Sequence, residues 1–129
     1  MKRRTYLQTM LAGAAAGIPS ASAAQQPIQL HVDLNVDPAK EKEMLHNFHT
    51  IFKPAAMKQA GYIDVKMEKL RSAVMGSAPV NVNYRFVLTY ASEEQRKVWV
   101  ETAVHKKVWP TIENTLVSKD YQVLLFDIK

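Results

Sequence analysis

The chain has 129 residues, 47% hydrophobic and 22% charged, with 17 Lys and Arg against 12 Asp and Glu for a formal charge of +5. That is the size of one globular domain, and four Gly and six Pro are too few for a collagen-like or low-complexity chain. With no cysteine, disulfides, Cys-ligated zinc, iron–sulfur clusters and a lipoprotein anchor are excluded.

Residues 1–23 read as an export signal. Lys2, Arg3 and Arg4 form a basic start, Leu11 to Ile18 a short apolar stretch, Pro19 a stop, and Ala21-Ser22-Ala23 a small-residue cleavage site. The apolar stretch is too short to cross about 30 Å of hydrocarbon. Arg3-Arg4-Thr5-Tyr6-Leu7 resembles a twin-arginine signal, which predicts a periplasmic or secreted protein with a mature domain over 24–129. Without the three leader cations the net charge falls to +2. No nucleic-acid footprint remains, and Arg96-Lys97 and Lys106-Lys107 read as solvated helix faces.

From Ile28 the chain alternates, with Leu30, Val32, Leu34 and Val36 on one face and Gln29, His31, Asp33 and Asn35 on the other. That is a half-buried strand. Asp37-Pro38 reads as an N-cap followed by a first helical residue. Met44, Phe48, Ile51, Phe52 and Ala55 form the apolar stripe of the helix. Pro54 should kink that helix or begin a new turn, since it lacks an N–H and crowds the Thr50 carbonyl. Gly61 caps its end.

Tyr62 to Leu70 alternates again, and residues 71–79 read as a loop. A third strand is predicted from Val80, through Val82, Tyr84, Phe86, Leu88 and Tyr90. Ser92-Glu93-Glu94-Gln95 is a capping box opening a helix predicted to run to about Lys107, with a short restart from Pro110 to Leu116. Tyr121 to Ile128 is the last strand, apolar on both faces.

The order β-α-β-β-α-β predicts an α+β, ferredoxin-like fold: an antiparallel sheet with helices on one face. A last strand apolar on both sides leaves the second sheet face needing cover. A second copy would supply it, closing two sheets into a twofold homodimer.

The passage Pro54-Ala55-Ala56-Met57-Lys58-Gln59-Ala60-Gly61-Tyr62 is similar to a helix, turn and strand passage of the antibiotic-biosynthesis-monooxygenase-like family of the dimeric α+β barrel superfamily. Tyr84 to Ser92 followed by Trp99, Thr102, His105 and Trp109 resembles its strand, capped helix with Trp, and Ser/Thr-x-x-His. The resemblance covers the whole mature chain. It implies a dimeric α+β barrel and a cofactor-independent monooxygenase acting on a small aromatic or quinol-type substrate. The alternative is a non-catalytic ligand-binding or assembly module on the same fold. The haem-degrading branch is similar in having an Asn on the first strand, a Trp on the second helix and a His three turns later. Here Trp99 fits, but Trp109 stands where the His would be, and Asn35 is out of phase.

His105 is the strongest candidate for chemistry. On a continuous helix Val98, Thr102, His105 and Trp109 share one face, where an imidazole beside two indoles can act as a general base on a phenol. His105 and Trp99 are therefore the candidate catalytic pair, with Phe48, His49, Phe52, Tyr84 and Trp109 as candidate substrate-binding residues. No metal is expected, because His46 and His49 stand three apart without a third ligand in sequence. His31, Asp33, Asn35, Asp64, Lys66, Glu68 and Arg85 are expected on the sheet face turned to the dimer partner, paired with one another.

Overall fold

A computed structural model describes residues 26–129 of the chain; the expected leader and its cleavage site lie outside the described residues. Four strands form one antiparallel sheet: β1 (Ile28–Leu34), β2 (Tyr62–Lys69), β3 (Tyr84–Tyr90) and β4 (Gln122–Asp127), in spatial order β2-β3-β1-β4. The helical segments are α1 (Glu41–Asn47), α2 (Lys53–Met57), α3 (Glu93–Glu101), α4 (Ala103–Val108) and α5 (Pro110–Glu113). This is the split βαβ arrangement of a ferredoxin-like α+β fold. None of the described helices is long and apolar enough to cross a membrane.

The register explains the core. Ile28, Leu30, Val32 and Leu34 of β1 lie opposite Tyr90, Leu88, Phe86 and Tyr84 of β3, so one pleat face of these two central strands carries their large apolar side chains. Against that face pack Met44, Phe48, Phe52 and Ala56 from the first helical layer and Trp99, Val108 and Ile112 from the second.

The first layer is not a simple α-helix. Asp37 caps a short 3-10 turn, Pro38–Lys40, its carboxylate accepting from the Ala39 N–H at 3.0 Å. After α1, Phe48–Phe52 forms a π-turn in which the Lys53 N–H reaches the Phe48 carbonyl, five residues back. Pro54 then sits within the first turn of α2, where its missing N–H costs nothing. The expected break at Pro54 is thus absorbed one turn earlier. The wider π-turn keeps Met44, Phe48, Phe52 and Ala56, at strict spacings of four, on one buried line. Ile51 and Ala55, expected on the stripe, stand more open. Gly61 has φ +91°, and a Cβ there would meet Gln95 Oε1 at 2.5 Å, so this turn requires glycine.

Two boundaries differ from the sequence reading. The third strand begins at Tyr84, not Val80. Asn81 adopts φ 59°, and the Asn83 carboxamide bonds both the N–H and the carbonyl of Val36 at 2.8 Å, so the extended run stops short. The helix opened by Ser92 ends at Glu101, because Thr102 is extended (φ −72°, ψ 152°). Its hydroxyl donates to the Trp99 carbonyl at 2.7 Å and accepts from the His105 N–H at 3.1 Å, closing α3 and capping α4 at once.

The second sheet face carries Gln29, His31, Asp33, Asp64, Lys66, Glu68, Arg85, Leu124 and Phe126, and the described helices all pack on the opposite face. Arg85 forks onto Asp33 at 2.7 and 3.2 Å, and Lys66 reaches Asp64 at 3.7 Å. Beside them Leu124 and Phe126 are exposed on the edge strand β4.

Candidate functional site

The sheet and the second helical layer do not close completely on each other. A cavity of about 200 Å³ lies between them. Leu30, Val32, Phe86, Leu88 and Val123 form its sheet wall, Phe52 one side, and Arg96, Trp99, Val100, His105, Trp109 and Tyr121 the opposite side. Engineered apolar cavities of about 150 Å³ take a benzene molecule. This one therefore has room for one substituted aromatic ring.

Its rings are arranged edge to face. Phe52 lies 5.2 Å from Phe86, 6.0 Å from Trp99 and 5.7 Å from Trp109, at 70–83°. His105 stands 5.0 Å from Trp99 at 89° and 6.4 Å from Trp109, almost parallel at 13°. Such a box presents ring faces and edges to a flat guest.

Polar groups in the wall are few. The Trp109 N–H donates to the Tyr121 hydroxyl at 3.0 Å, which donates to Glu113 Oε2 at 2.7 Å. Burial and the Glu113 carboxylate push the Tyr121 phenol up, so it stays protonated and that chain is complete. The Trp99 indole N–H, by contrast, is buried and has no acceptor among the described residues. The His105 imidazole has none either: only its backbone N–H is bonded, to Thr102. Burial holds the imidazole below the ordinary 6.5, and the Arg96 charge depresses it further. At neutral pH it is an uncharged base.

Arg96 corrects the expectation of a solvated basic pair. Its side chain is only 17% exposed and forks onto Glu93, Nε to Oε1 at 2.6 Å and Nη2 to Oε2 at 2.7 Å. The signal was the (i, i+3) spacing of Glu93 and Arg96 on the turn that also carries Gln95 and Trp99. Tyr121, expected to open the last strand, lies just before it and lines the cavity instead.

The break at Thr102 changes the helical face. Val98, expected toward the sheet, is 68% exposed, and Trp99 is buried in its place. His105 and Trp109 nevertheless reach the cavity, because α4 restarts in a new direction. Four candidate residues thus meet there: Trp99, His105, Phe52 and Trp109. Phe48 packs behind Phe52 in the core at 6.3 Å, Tyr84 is occupied with Glu41 at 2.6 Å, and His49 is exposed; none of these lines the cavity. Asn35 lies in a polar groove of about 740 Å³ on the other side of the sheet, so the Asn–Trp–His constellation of haem degradation is not assembled. That larger groove, with Asp33, Arg85, Gln122 and Leu124 in its wall, belongs to the uncovered sheet face. Among the described residues no group of three His, Asp or Glu stands together as a metal site.

The sequence matches no family model and no curated protein. Solved structures do resemble it. An antibiotic-biosynthesis-monooxygenase-type protein of Caulobacter crescentus aligns over 82% of this chain and 92% of its own, with 20% identity and a TM-score of 0.64. A dimeric ferredoxin-like protein of Jannaschia aligns over 80% and 98%, with 13% identity and a TM-score of 0.63. A hydroxynitrile lyase of Passiflora edulis aligns over 81% and 95%, with 7% identity and a TM-score of 0.66. At these identities the likeness establishes the ferredoxin-like fold, and one fold carrying such different chemistries leaves function to the site.

Proposed function

We propose that this protein is an exported, homodimeric monooxygenase-like enzyme whose cavity binds a one-ring phenol or quinol. The observation that carries the reading is the neutral His105 imidazole, its ring without a hydrogen-bond partner among the described residues, set in a largely aromatic and apolar cavity wall. His105 takes the phenol proton, and the electron-rich phenolate can then reduce dioxygen itself. One oxygen atom enters the ring and becomes a quinone carbonyl, the other leaves as water, and the ring supplies all the electrons.

The dimer is supported by the uncovered sheet face, where Leu124 and Phe126 stand exposed, and by the dimeric state named for the Jannaschia protein. Export rests on Arg3-Arg4 and Ala21-Ser22-Ala23, and places the enzyme in the periplasm or outside the cell.

Incubation of the protein with one-ring quinols and phenols under ¹⁸O₂ tests the activity. One labelled atom in the quinone and one in water, with one dioxygen consumed per product, is expected. Unlabelled product, or no turnover with any one-ring phenol, would overturn the reading in favour of a non-catalytic binding module.

A further inference from the structure

The cavity wall holds a single guanidinium, already paired. Arg96 uses its Nε–H and one Nη2–H on Glu93, which leaves three of its five N–H donors without a partner among the described residues. Arg96 and His105 both line the cavity, so the two side chains serve the same space.

Charge accounting inside that space is restrictive. Arg96 and Glu93 cancel each other, and His105 is neutral. A ligand that arrives ionised, such as a benzoate, would leave a net negative charge in an apolar cavity, which is costly. A neutral phenol brings no charge. When its proton moves to the imidazole, the phenolate oxygen keeps the bonding electron pair and the site gains an imidazolium and an oxyanion together, still neutral in sum.

Resting on the reading of the cavity as an aromatic-ligand site, we propose that Arg96 is its oxyanion-binding residue and restricts the substrate class to phenols that enter neutral and ionise inside. The free N–H donors of the guanidinium hold the phenolate oxygen, while the Glu93 carboxylate offsets the Arg96 charge until the proton moves. Selectivity follows from the pairing: an unpaired arginine would favour carboxylates, and a paired one favours charge that forms after binding.

The test uses 4-nitrophenol, whose phenolate absorbs visibly, with 4-nitroanisole as the analogue that cannot ionise and benzoate as the ionised competitor. Wild type should bind both nitro probes, show bound nitrophenol as phenolate at pH values where the free probe is mostly neutral, and ignore benzoate. Glu93→Gln combined with Arg96→Gln removes both charges together. It should keep 4-nitroanisole binding while weakening the phenolate form about ten- to a hundredfold. Both probes bound with the ionisation unchanged in the double variant would overturn the role of Arg96 and leave the aromatic site standing. Neither probe bound by wild type would overturn the aromatic site itself. Should the double variant not fold, Glu93→Gln alone decides: the released guanidinium should bind nitrophenolate and benzoate more tightly, and unchanged or weaker binding would overturn the proposal.

Discussion

Trp99 and His105 meet edge to face, 5.0 Å apart and at 89°, although they sit on two different helices separated by the extended Thr102. Six residues along one straight helix would point these rings about 120° apart. The chain break between them lets both reach one cavity. Thr102 holds that break with two hydrogen bonds, so it fixes the geometry of the site without touching it.

Replacing Thr102 with Ala removes the cap of α4. We expect a loss of about 0.5–2 kcal/mol in chemical denaturation. Aromatic ligand affinity should fall as well, since α3 and α4 are then free to merge and swing His105 away from Trp99. Ligand titration of the folded variant checks the second effect separately from the first.

Tyr90 offers the opposite outcome. Its ring is fully buried, its hydroxyl has no partner among the described residues, and burial beside Tyr62 pushes the phenol up to about 12. Tyr90→Phe removes an unsatisfied group while keeping the ring, and stability should rise by about 1 kcal/mol. A loss of similar size in urea denaturation would mean that the hydroxyl is satisfied in solution.

Acid should weaken the fold through its half-buried histidines, His105 and His31. Burial lowers His105, assisted by Arg96, and lowers His31, assisted by Arg85. Their contribution is fully present above the unfolded value near 6.5 and is lost as pH falls through the lower folded values, because the unfolded chain binds those protons more readily. Melting temperatures recorded from pH 7.5 down to 5 should fall below 6.5. His105→Gln should flatten part of that slope, and an unaltered slope would show that His105 does not contribute.

Phe126→Asp tests the dimer. The residue is half exposed in a single chain and lies 4.9 Å edge-on from His31, so a monomer tolerates the carboxylate while a closed sheet-on-sheet interface does not. Light scattering should report a dimer for wild type and a folded monomer for the variant. A monomeric wild type at micromolar concentration would remove the dimer from the account.

The fold was legible in the sequence because its signals are periodic. Strict alternation over Ile28–Val36 and the Ser92 cap each define an element by geometry that one chain carries alone. What could not be read were the places where a side chain interrupts a pattern for a tertiary reason. Thr102 looks like an ordinary helical residue until its hydroxyl is seen to close one helix and open the next. Asn83 looks like part of a strand until its carboxamide takes both polar groups of Val36. The pairing of Arg96 with Glu93 is legible as an (i, i+3) contact, but the cavity wall that buries Arg96 comes from other elements of the fold. The cavity inherited these misses: Phe52, His105 and Trp109 are legible from type and spacing and Trp99 from the family resemblance, while the burial of Arg96 in the wall is not.

The measurement closest to the central claim is dioxygen uptake with a saturating one-ring quinol, compared across wild type, His105→Ala and His46→Ala. His46 is exposed and outside the cavity, so its variant should match wild type. General-base catalysis contributes about 10²–10⁴-fold, and His105→Ala should lower the turnover rate by at least about a hundredfold with the fold intact. Equal rates in all three proteins, or equal losses in both variants, would contradict a cavity built around His105 as the base.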